Sequence, residues 1–108
     1  MMDWQEHDEH AHRRRFARRA VQLPAKLRIG DSEIQAMTEN ISPGGAFLNV
    51  AVPSTTEQVL ASIGLPQGRD LLVSAKVRWR RQEPPGVGIE FETFLQGLQE
   101  SELNERLR

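Results

Sequence analysis

The chain has 108 residues, no cysteine, and 14 Lys and Arg against 15 Asp and Glu, for a formal net charge of −1. A chain of this length forms one small domain, and the lack of thiols excludes a disulfide scaffold, a cysteine nucleophile and thiolate zinc or iron–sulfur sites. No run approaches the ~18 apolar residues of a membrane helix, and the acidic, polar start MMDWQEHDEH is unlike a signal peptide, so a cytoplasmic protein without membrane association is expected.

Residues 1–12 hold only Met1, Met2, Trp4 and Ala11 as apolar side chains, with no period, and read as a flexible tail. His7, His10 and His12 lie there beside Asp8 and Glu9. They are metal-ligand types without a rigid frame, so no metal site is expected. An arginine arm follows over residues 13–19, containing Arg13, Arg14, Arg15, Arg18 and Arg19, and no acid occurs between positions 13 and 28. Because duplex affinity scales with the number of phosphates neutralised, a chain of near-zero net charge suits a small anion better than DNA. Arg offers a planar fork for guanine O6 and N7 or for phosphate, and a face for stacking. A solvated basic linker is the alternative reading of the same residues.

Val21, Leu23, Ala25, Leu27 and Ile29 then alternate with Gln22, Pro24, Lys26, Arg28 and Gly30, the pattern of a strand with one buried face. Pro24 points to an edge or a bulge. A turn at Gly30 and Asp31 leads to a second strand at about 33–39, and Asn40-Ile-Ser-Pro-Gly-Gly45 is the strongest turn signal in the chain. Asn40 and Ser42, two apart on extended backbone, point the same way. They offer either a ligand site or caps for the turn's own backbone. Strands are expected at 46–50 and 59–63, separated by a loop at 53–57. After the turn Gly64-Leu-Pro-Gln-Gly68, the run from Leu71 to Arg80 is the clearest amphipathic strand, with Trp79 at the inward parity of Val77. Arg78, Arg80 and Arg81 read as a solvated strand end or an extension of an anion site. Pro84-Pro-Gly86 turns the chain into Val87, Ile89 and Phe91, the sixth strand. Thr93 and Gln96 match a capping box for a helix over about 94–107, with Phe94, Leu95, Leu98, Leu103 and Leu107 on its apolar side and Gly97 weakening it. The pattern predicts an all-β chain: a small six-stranded antiparallel β-barrel with a C-terminal α-helix, in one domain over residues 13–108.

Arg14-Arg15-Phe16-Ala17-Arg18 is an RxxxR motif and Asn40-Ile41-Ser42-Pro43-Gly44-Gly45 a (D/N)xSxxG motif, with Gly86-Val-Gly-Ile-Glu-Phe91 as a G-x-G-hydrophobic-x-F strand. Together they resemble the PilZ family of bacterial cyclic di-GMP receptors over residues 12 to 95. Ser-Pro-Gly-Gly-Ala-Phe is similar to a branch of that family common in myxobacteria and related groups. The resemblance implies that Arg14 and Arg18 engage guanine and phosphate, with Arg13 or Arg15 adding a phosphate contact. It implies that Asn40 and Ser42 hold the base and nearby phosphate, and that Gly45 leaves them room. The implied ligand is cyclic di-GMP, as an intercalated dimer, whose binding orders the arm and signals through an unidentified partner protein, from a monomer or weak homodimer.

Rival functions are weaker. A serine hydrolase lacks its G-x-S-x-G elbow and a histidine in the folded region, so no catalytic residue is expected. A small barrel with an arginine arm suits a single-stranded nucleic acid, but the strands lack exposed aromatic interleaving. A PilZ-like protein-interaction domain that works without ligand is the remaining alternative.

Overall fold

Alternating apolar side chains at Leu23, Ala25 and Leu27 bury one face of β1 (Pro24–Ile29), and the same period builds five further strands. The computed structural model describes residues 20–96. β2 (Ser32–Ser42), β3 (Gly45–Leu48), β4 (Gln58–Gly64), β5 (Asp70–Gln82) and β6 (Pro85–Gln96) follow, with a short 3-10 turn at Pro66–Gly68. All neighbouring strands are antiparallel, and the order β1-β2-β3-β6-β5-β4 closes through β1 and β4. Closure leaves no unpaired sheet edge. Leu27, Ile41, Leu48, Ile63, Leu71 and Ile89 are fully buried inside it, each contributing about 1.5–3 kcal/mol of hydrophobic stabilisation.

The expected six-stranded barrel is therefore observed, with two differences. β2 runs three residues past Glu39, so Asn40 and Ser42 lie on a strand and only Pro43 and Gly44 make the turn. Phe94–Gln96, expected to open a helix, is strand instead. Phe94 pairs with Val73 and packs edge to face on Phe91, with ring centroids 5.9 Å apart, and Gln96 pairs with Leu72. The long β5 offers its backbone and the barrel mouth to these residues, and aromatic burial with ladder bonds outweighs a local capping signal. The rest of the expected helix, residues 97–108, lies outside the described residues, as do the expected tail and arginine arm.

The register shifts once in the β2–β3 pair and three times in the β5–β6 pair, and two of these β-bulges set the face around Asn40. In β2 the register shifts between Thr38 and Asn40, and in β5 between Val77 and Trp79. A bulge inserts one residue against its partner strand and reverses the parity of all that follows.

Candidate functional site

Residues directly opposite in an antiparallel pair share a face. Asn40 stands opposite Phe47, and Ser42 opposite Gly45, whereas Ile41 between them is fully buried. Asn40 and Ser42 thus project from the outer face of β2, side by side as their spacing predicts. Ser42 is buried, and its Oγ accepts the Gly44 N–H at 3.2 Å, so the hydroxyl caps its own turn. A Cβ on Gly45 would run into the carbonyl oxygen of Ile89. The side chain that Gly45 lacks is the space in which β3 and β6 approach each other.

Thr38, fully buried one bulge away, ties the start of the described chain to this strand. Its hydroxyl donates to Val21 O at 2.5 Å and accepts from the Leu23 N–H at 2.8 Å, while its N–H donates to Leu23 O at 2.9 Å. The backbone from Val21 to Leu23 is therefore held beside Thr38, next to the segment that carries Asn40. Arg13, Arg14, Arg15 and Arg18 lie outside the described residues.

On the other side of Asn40 a single row crosses four strands: Asn40 opposite Phe47, Phe47 opposite Gly88, and Gly88 opposite Trp79. Val87 and Ile89 are core residues, so Gly88, Phe47 and Trp79 face outward with Asn40. This corrects the expected inward placement of Trp79: the bulge at Arg78 turns it over relative to Val77, which pairs with the core residue Ile89. Trp79 is half-buried.

The bulge at Glu39 carries an ion pair. Arg81 Nη1 and Nη2 donate to Glu39 Oε1 and Oε2 at 3.2 and 2.5 Å, and Arg81 Nε donates to Pro84 O at 2.8 Å. The guanidinium carbon lies 4.8 Å from the centroid of the Phe47 ring, a cation–π distance. Gly86, opposite Arg81, makes the stack possible, since a Cβ there would stand 2.5 Å from Phe47 Cε1 and 3.0 Å from Arg81 Nη2. The hydrogen bond donated to Glu39 holds the Arg81 guanidinium above its usual pKa, against a smaller opposing effect of burial. Phe47 is therefore buried on the outside of the barrel, under an arginine.

The other two arginines of β5 are also engaged. Arg78 Nε bonds Glu90 Oε1 at 2.6 Å, and Arg80, opposite Val87 after the parity change, donates to the carbonyls of Pro53 and Thr56. Hydropathy gave no sign that Phe47, Trp79 and Arg81 lie near Asn40, because strand pairing and two bulges decide it. Among the described residues no group of three or more His, Asp or Glu side chains is placed to hold a metal ion. The arrangement brings the Asn40 amide and the half-buried Trp79 ring to the outer face, with the Ser42 hydroxyl and Phe47 ring buried beside them, groups suited to a planar polar ligand.

The sequence profile of the PilZ domain matches residues 12–108. No curated protein matches the chain. Among solved structures, the Bacillus subtilis inhibitor of motility MotI/DgrA is 21% identical with a TM-score of 0.74, over 86% of this chain and 48% of that one. The chain thus spans about half of that protein. The PilZ domain of CeSA from a cellulose-synthesizing bacterium is 23% identical with a TM-score of 0.63, over 84% of this chain and 94% of that one.

Proposed function

The chain belongs to the PilZ domain family, and from that premise we propose that it is a non-catalytic cyclic di-GMP receptor. Arg14 and Arg18 engage guanine edges, guanine faces and phosphates, Arg13 or Arg15 adds a phosphate contact, and Asn40 and Ser42 hold the base and the nearest phosphate. Gly45 serves the site by seating the Ser42 turn against β6. The observation that carries this reading is the shared outer face: Asn40 and Ser42 lie on it together, beside the segment from Val21 to Leu23 that leads back to the RxxxR motif. Trp79, in the same row as Asn40, adds a surface for a purine ring.

Two stacked ligands bring four phosphates together, and the five arginines of residues 13–19 supply the charge to offset them. With no acid beside them in sequence, these arginines repel one another until the ligand arrives. Binding orders the arm and creates a composite surface of ligand, arm and barrel, which a partner protein distinguishes from the free form.

Isothermal calorimetry at physiological salt tests the reading. Saturable binding of cyclic di-GMP at a ratio near 2 per protomer is expected, with GTP and cyclic di-AMP much weaker. At a ligand concentration of about 100 times the dissociation constant, linkage adds roughly 2.7 kcal/mol of stability. The absence of both heat and a melting shift at that concentration overturns the proposal, and a ratio near 1 overturns the stacked pair alone.

A further inference from the structure

The Glu39 carboxylate sits one residue from Asn40, in the bulge that faces outward. An acid there opposes any anion bound by Asn40 and Ser42, unless its charge is cancelled. Arg81 is built to cancel it. It comes from β5, across β3 and β6, to form a two-point bond with both carboxylate oxygens. Every guanidinium nitrogen is engaged, Nε on Pro84 O and the two Nη on Glu39, and the plane is held against the Phe47 ring in the gap left by Gly86. A guanidinium fixed at four points stays with its carboxylate rather than exchanging it for a phosphate.

We propose that Arg81 is a positioning residue of the anion site, which sustains ligand affinity by neutralising Glu39 rather than by touching the ligand. This rests on the reading of the site as a cyclic di-GMP receptor. Removing Arg81 exposes a like charge to the ligand phosphates, whereas removing both charges restores a neutral rim.

Cyclic di-GMP titrations of four full-length proteins decide it. Relative to wild type, Arg81→Met, which keeps an apolar chain over Phe47, weakens binding about tenfold, as one uncancelled charge near a surface anion does, and the deficit shrinks as salt is raised. Arg81→Met combined with Glu39→Gln returns to within about twofold of wild type, a rescue that neither a direct contact nor a purely structural role of Arg81 allows. Glu39→Gln alone binds at least as tightly as wild type, which keeps the test open if Arg81→Met folds poorly. Arg81→Met binding like wild type, a double variant as weak as Arg81→Met, or Glu39→Gln weakened about fivefold each overturns this proposal while leaving the receptor reading intact. Wild-type protein that binds no cyclic di-GMP overturns both.

Discussion

The chain carries two groups of arginines, residues 13–19 ahead of the barrel and Arg78, Arg80 and Arg81 at the end of β5, and composition alone treats them alike. In the barrel each has a partner supplied by the fold: Glu90 for Arg78, the loop carbonyls of Pro53 and Thr56 for Arg80, and Glu39 with Phe47 for Arg81. The first group has no acid between positions 13 and 28. Cationic density in a sequence is therefore a poor guide to a binding site. For the β5 group, strand register brings a carboxylate to Arg78 and Arg81 and loop carbonyls to Arg80.

The comparison makes opposite predictions for the two groups. The largest effect is expected from Arg14→Ala combined with Arg18→Ala: each lost charge-assisted contact costs about 2 kcal/mol, so cyclic di-GMP affinity falls by roughly a thousandfold while the ligand-free melting temperature holds. Calorimetry and thermal melts on the same samples check this, and unchanged affinity would break the contrast at its first term. Next is Gly45→Ala, at the first residue of β3 and opposite Ser42. Its methyl group meets the Ile89 carbonyl, and forcing β3 and β6 apart costs about 1–3 kcal/mol, read as a lower urea midpoint with the slope unchanged.

Arg80→Ala should show the reverse of the arm variants. Loss of a charged donor to the Pro53 and Thr56 carbonyls lowers stability by about 1–2 kcal/mol and leaves ligand affinity as it was. A fall in affinity without a fall in stability would move Arg80 into the other group. The smallest effect belongs to Arg78→Ala. Its pair with Glu90 is about half exposed, so stability changes by less than about 0.5 kcal/mol. Double-mutant cycles with Glu90→Ala would sharpen that value.

Much of the barrel is legible in the sequence. Leu23, Ala25 and Leu27 on β1, or Leu71, Val73 and Ala75 on β5, announce their buried face by period two, because burial on one side of a pleated chain selects alternate positions. Asn40 and Ser42 were legible as a pair facing one way for the same reason. Of the helix expected over about 94–107, residues 94–96 are strand, and the rest lies outside the described residues. The capping signal of Thr93 and Gln96 is local, whereas the strand state of Phe94 is held by its pairing with Val73 on the neighbouring β5, beside the edge-to-face contact with Phe91.

Alternation along a single strand thus determined the strands, their turns and the polar pair at Asn40 and Ser42. Tertiary structure alone decided which face the residues beyond Thr38 and Val77 take, and so which of them meet. A bulge is a mismatch between two strands, invisible in the hydropathy of either one. Each extra residue reverses the parity behind it, and that reversal sets Trp79 in line with Asn40 and brings Arg81 over Phe47 to Glu39.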